Sequence, residues 1–157
     1  MPSTKNRIMA TIAALASILG FALISAPAAS AGGYGCSGGL IATYPVKTSS
    51  GTIFGNIHVY YDSSTGRNCA VTVKTTAGGY GTSSFVSVTL AVCKTSTPGA
   101  FCDSAGQPTA YEGDHFNYYA GPVSVYAAGR CIHLYGQVSS VAPIATGQSG
   151  SGGVHCG

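Results

Sequence analysis

The chain has 157 residues, seven of them basic and four acidic for a formal net charge of +3, with 23 glycines, six cysteines and no tryptophan. Charges this few and this scattered exclude the clustered Lys and Arg of a nucleic-acid-binding surface and the basic stripe that anionic lipid attracts. They also leave little repulsion between copies or against a surface, which suits adhesion.

At the N-terminus Lys5 and Arg7 precede an uncharged run of 17 residues, Ile8–Ile24, and small residues follow at Ala26-Pro27-Ala28 and Ala29-Ser30-Ala31. That is the layout of a removable signal peptide, and the run is shorter than the roughly 20 residues of a spanning helix. Residues 1–31 are expected to be cut away after Ala31, leaving 32–157 as a single secreted β domain with no membrane attachment after cleavage. Its charges, Lys47, Arg67, Lys74, Lys94 and Arg130 against Asp62, Asp103, Glu112 and Asp114, leave +1.

Beyond the signal no stretch has sustained helical periodicity, whereas period-two alternation recurs. Leu40–Val46 is the first candidate strand. In Ile53–Asp62, Ile57, Val59 and Tyr61 share one face and His58, Tyr60 and Asp62 the other. Val71 and Val73 alternate with Thr72 and Lys74, which predicts an apolar core face and a polar solvent face. Val86, Val88, Leu90 and Val92 form the longest alternation, followed by Asn117–Ala120, Val123 and Val125 against Ser124 and Tyr126, and Cys131–Val138. Between them lie turn residues: Asp62-Ser63-Ser64-Thr65-Gly66 as a hairpin loop, Ala77–Gly81, Pro98-Gly99, and Gly147–Gly153 as a flexible surface loop. About seven short strands with regular turn signals and no helix predict an all-β fold, a single antiparallel β-sandwich or barrel.

Cys36, Cys69, Cys93, Cys102, Cys131 and Cys156 all follow the signal, and an even set in an exported chain reads as a disulfide framework. Many pairings are open to six cysteines, and sequence does not choose among them. The sequential set is the expectation: Cys93–Cys102 closing a local loop around Pro98-Gly99, Cys36–Cys69 tying down the N-terminal arm, and Cys131–Cys156 clamping the tail.

Few residue patterns carry chemistry. His58, His115, His133 and His155 are isolated, there is no GxSxG elbow, and a Ser/His/Asp triad has no sequence support. Glu112 and Asp114 would be the pair for glycoside hydrolysis, but they sit two apart around Gly113 in what reads as a solvated loop. No CxxC or HExxH exists, so neither a metal nor another cofactor is expected. Tyr60, Tyr118, Tyr126 and Tyr135 are the candidate ligand-facing aromatics for a sugar or wall polymer. The Cys93–Cys102 loop is the candidate contact for a secreted protease.

Three stretches carry a family resemblance: YYDSSTGRNCAVTV at 60–73, YAGPVSVYAAGRC at 119–131, and the terminal GVHCG. In order and spacing they resemble the spore-associated protein A family of filamentous, spore-forming actinobacteria. The resemblance implies a small secreted protein found with spores or aerial structures, without catalytic activity. It also implies that Cys36, Cys69, Cys131 and Cys156 are a shared set and that Cys93 and Cys102 are an addition. His133 and Tyr135 depart from the acidic residue and tryptophan that the family tends to carry after its third shared cysteine. The expectation is therefore a secreted, non-enzymatic spore- or cell-surface-associated protein whose partners are spore or wall components. The alternative is a binding module or inhibitor acting on a wall polysaccharide or a secreted hydrolase.

Overall fold

Extended backbone supplies every regular element of the computed structural model, which describes residues 32–140 and 142–157. The expected signal segment, 1–31, lies outside the described residues. The strands are β1 (Gly39–Lys47), β2 (Ile53–Asp62), β3 (Arg67–Lys74), β4 (Ser84–Val92), β5 (Thr109–Phe116), β6 (Tyr119–Tyr126), β7 (Ile132–Ser139) and β8 (Ala145–Gln148). They make one antiparallel sheet in the order β5-β4-β7-β8-β1-β2-β3-β6. Its two edges, β5 and β6, lie against each other and are joined only by Asn117 and Tyr118, yet no ladder connects them. The sheet is thus nearly closed, and of the two architectures open to the sequence it is the barrel.

The long alternation of β4 builds the core. Val86, Val88 and Leu90 are fully buried and pair with β7 in the register Val86↔Val138, Val88↔Gly136 and Leu90↔Leu134. Val46, Ile57, Val59 and Ile132 complete the same apolar interior, each with no exposed surface. A fully buried side chain of this size is worth about 1.5–3 kcal/mol, so the interior carries the fold. Gly136 is required there. A Cβ on it would stand 2.6 Å from Thr72 Oγ1 and 2.9 Å from Ile57 Cγ1, contacts no real Cβ makes.

β3 reverses the faces expected of it. The register Ile57↔Thr72 and Val59↔Ala70 turns Asn68, Ala70, Thr72 and Lys74 toward the barrel interior. Val71 and Val73 face outward, where they form a second apolar cluster with Cys36, Tyr60, Cys69 and Tyr119. The N-terminal arm covers that cluster, pinned by the Cys36–Cys69 bridge and by Tyr34, which stacks on His58 and meets Tyr119 edge-on at 5.2 Å. A strand buried on both faces has no solvent face for alternation to report.

The three disulfides join Cys36 to Cys69, Cys93 to Cys102 and Cys131 to Cys156, the sequential set. Several loop and strand expectations need correction. Glu112 and Asp114 stand on β5, not in a loop. Gly147 and Gln148 belong to β8. The rest of the glycine-rich loop is tied to the stapled loop by Gly99 N donating to Gly153 O at 2.9 Å and Gly153 N to Ala100 O at 2.8 Å. Asn117 and Tyr118 form the corner before β6 rather than a strand of their own.

Candidate functional site

The seam between β5 and β6 makes a cleft of about 410 Å³ lined by Glu112, Phe116, Asn117, Tyr118, Tyr119 and Gly121. Its geometry starts from an irregularity in β6. The register with β3 shifts between Ala70 and Thr72, and Gly121 holds φ +106° at that point, a value that favours glycine. The shift frees the Gly121 N–H from the β3 ladder, and the Glu112 carboxylate of β5 accepts it across the seam. A charge-assisted bond therefore closes the gap that the ladder leaves.

The corner that joins the two edges is equally fixed. Phe116 O accepts from Lys74 Nζ at 3.1 Å, Asn117 O from Gly81 N at 2.9 Å, and Tyr118 O from Lys74 N at 2.9 Å. Lys74 Nζ also donates to Thr82 O at 2.5 Å and Ser84 Oγ at 2.7 Å. No carboxylate pairs with it among the described residues, the side chain is only 3% exposed, and burial lowers its pKa. Three oxygens in place of water make that buried ammonium tolerable. Outside the corner, Tyr118 meets Tyr80 with ring centroids 4.9 Å apart, and both rings are about half exposed. Aromatic faces, a carboxylate and an amide thus converge at a rigid lip.

The four tyrosines picked out in the sequence do not form one platform. Tyr60 is 6% exposed beneath the N-terminal arm and faces no ligand, because the second apolar cluster closes over it. Tyr118 lies at the cleft and Tyr126 is exposed opposite Arg67, at the far end of β6. Tyr135 is half-buried on β7, between Thr89 and Gln148. The histidines are equally dispersed. His58 Nδ1 lies 3.2 Å from Thr43 Oγ1, His133 Nε2 2.8 Å from Gly150 O, and exposed His115 3.7 Å from Asp114. Among the described residues no three His, Cys, Asp or Glu side chains gather to hold a metal ion.

A second concavity lies at the barrel end covered by the C-terminal segment. It is a shallow, open concavity of about 260 Å³ between Ile41 on β1, Tyr61 on β2, Asn68 on β3, and His155, Cys156 and Gly157. The segment is held by Ile132 N donating to Val154 O at 2.8 Å and by the Cys131–Cys156 bridge. His155 Nε2 is 3.0 Å from the Tyr44 hydroxyl, and burial lowers the His155 pKa and raises that of Tyr44. His155 holds φ +49°, a left-handed backbone uncommon outside glycine. Sequence reading missed Asn68, Tyr61 and Tyr80. Only the folded chain brings Asn68 and Tyr61 to a cavity and Tyr80 against Tyr118, and nothing in their spacing signals it.

By fold and site the chain is a disulfide-braced, single-sheet antiparallel β-barrel with a cleft along its seam. It is 28% identical over 158 aligned positions, covering 94% of this chain and 86% of the relative, to Spore-associated protein A of Streptomyces coelicolor. That curated relative supports the family relation read from the 60–73, 119–131 and C-terminal stretches. No protein-family model and no solved structure matches the chain.

Proposed function

We propose that this chain is a secreted, non-enzymatic protein that associates with the spore or cell-wall surface in a structural or interaction role. The observation that carries it is the relative named for spores, aligned along nearly the whole chain. Three disulfides with no free cysteine among the described residues support it, because such frameworks persist outside the reducing cytosol. The signal-like N-terminus supplies the route. Fractionation of sporulating cultures tests the reading: the protein is expected in washed spore or wall fractions, and recovery only from the medium refutes it.

The seam cleft favours one specific form of the alternative, a module that holds a wall polysaccharide. Tyr80 and Tyr118 would stack on sugar rings while Glu112 and Asn117 offer hydrogen bonds to hydroxyls. Pull-down on insoluble chitin and peptidoglycan is expected to retain the protein and to lose the Tyr80→Ala, Tyr118→Ala double variant. Equal retention of both removes the cleft from the reading. An inhibitor would instead present Phe101, 78% exposed beside Cys102, and protease assays run in parallel separate the two.

A further inference from the structure

Among the described residues the most exposed large apolar side chain is Phe101, at 78%. An exposed phenylalanine alone means little, but the chain on both sides of this one is fixed. Cys102 is bridged to the fully buried Cys93, and Lys94 pairs with Asp103 at 2.7 Å. Gly153 N donates to Ala100 O at 2.8 Å and Cys102 N to Ser151 O at 3.3 Å. These two bonds flank Phe101 and make it the extended partner of Gly152 in an isolated antiparallel bridge. In that pattern the bonds run between the flanking residues, so the N–H and C=O of Phe101 point away from Gly152. Neither group is bonded to any described residue. One rigid, extended residue thus offers a projecting ring, a donor and an acceptor. A serine protease takes a substrate by those three groups: its primary pocket holds the side chain, its main chain pairs with the extended backbone, and its oxyanion hole takes the carbonyl oxygen.

We propose that the Cys93–Cys102 loop inhibits a secreted serine protease in the manner of a substrate, with Phe101 in a primary pocket that takes large apolar side chains. The loop is fixed before it binds, so little ordering entropy opposes the complex. When the protease's serine Oγ adds to the Phe101 carbonyl carbon, the bond to Cys102 N breaks and that nitrogen takes the serine's proton by way of the protease's histidine. The Cys93–Cys102 bridge keeps the new amine in place, and the bond from Gly153 N to Ala100 O keeps the acyl half. Held there, the amine attacks the ester carbon ahead of water, restores the peptide bond and returns the proton to the serine. The loop therefore blocks the protease instead of being consumed. This makes the inhibitor alternative specific and rests on the loop alone, so a failure of spore attachment leaves it standing.

The test uses the purified protein, secreted from the full chain, against chymotrypsin, whose primary pocket is apolar, and trypsin, whose pocket carries a carboxylate. The parent is expected to inhibit chymotrypsin at micromolar concentration or below and to spare trypsin. Phe101→Gly is expected to weaken inhibition about thirtyfold or more, the effect of losing a dominant anchor. Phe101→Lys is expected to transfer inhibition to trypsin. Both variants change only an exposed side chain and should keep the parent's melting temperature. Absence of chymotrypsin inhibition by the parent, its rapid cleavage after Phe101, or equal inhibition of the two proteases overturns the proposal. So does equal inhibition by the parent and Phe101→Gly, or a Phe101→Lys variant that fails to inhibit trypsin.

Discussion

Thr72 shows how a single side chain can stand against its surroundings. It is fully buried on β3, between β2 and β6, and its Oγ1 has no hydrogen-bond partner among the described residues. Valine has nearly the same shape, suits a strand, and removes the unsatisfied hydroxyl. Thr72→Val is therefore expected to raise stability by about 1 kcal/mol, read as a higher urea midpoint at unchanged slope. A lower midpoint would mean that the hydroxyl finds a partner in solution. The two half-buried histidines act through pH. Burial lowers the pKa of both His58 and His155 below 6.5, so the folded state favours the neutral rings. Above 6.5 neither state takes up protons there and stability is flat. As pH falls through 6.5 the unfolded chain protonates first, and stability drops until the folded pKa values are passed. Asp62 and Asp103 titrate below that window, because the Ser64 hydroxyl and the Lys94 ammonium hold them under 3.8. Urea midpoints are thus expected to fall between pH 7.5 and pH 5. His155→Asn, which tolerates the left-handed backbone, should shrink the fall, and an unchanged slope would show that His155 does not contribute.

At the level of strands, the seam is the place where the sheet is weakest and most specific. Glu112→Ala leaves the Gly121 N–H without its acceptor, at a cost of about 1–3 kcal/mol. Amide exchange should speed up in β5 and β6 ahead of β4 and β7, because the opening is local. Glu112→Gln keeps an oxygen in place but not the charge, and should lie between the two, since charged acceptors bind about twice as strongly. Exchange in Glu112→Ala that matches the parent would mean that the bond does not close the barrel. The seam was also what the sequence concealed. The alternation of β2, β4 and β7 was legible, because each turns one apolar stripe inward over eight or more residues. β5 has no such stripe. As an edge it reads TAYEGDHF and is at best half-buried, so Glu112 and Asp114 looked like a loop. β8 faces inward only with Ala145 and Gly147, too small to register as apolar. Val71 and Val73 were legible as a face but not as the outer one, since the arm that covers them is distant in sequence. The cleft needed Glu112 and Gly121 to meet across the seam through barrel closure, which no local pattern encodes.

For the whole molecule the question is what offsets the entropy of ordering a glycine-rich chain around a single small barrel. The bridges close loops with sequence separations of 33, 9 and 25 residues. By loop-closure entropy these are worth about 3.7, 2.6 and 3.5 kcal/mol in that order. Their sum, about 10 kcal/mol, is as large as the ~5–15 kcal/mol net stability of an ordinary domain. Full reduction is therefore expected to unfold the protein at room temperature. The bridges should not be equivalent. Cys93→Ala with Cys102→Ala removes the shortest loop, whose ends are also held by Cys93 N to Cys131 O and by the Lys94–Asp103 pair at 2.7 Å. That variant should lose about 2–3 kcal/mol and keep its fold. Cys36→Ala with Cys69→Ala removes the longest loop and also frees the arm, exposing Val71, Val73 and Tyr60. It should lose clearly more and bind a hydrophobic dye. Urea unfolding of the two double variants under one set of conditions decides the matter. Equal losses would mean that the arm adds nothing beyond its bridge. A larger loss at Cys93–Cys102 would make the stapled loop part of the scaffold rather than an addition to it.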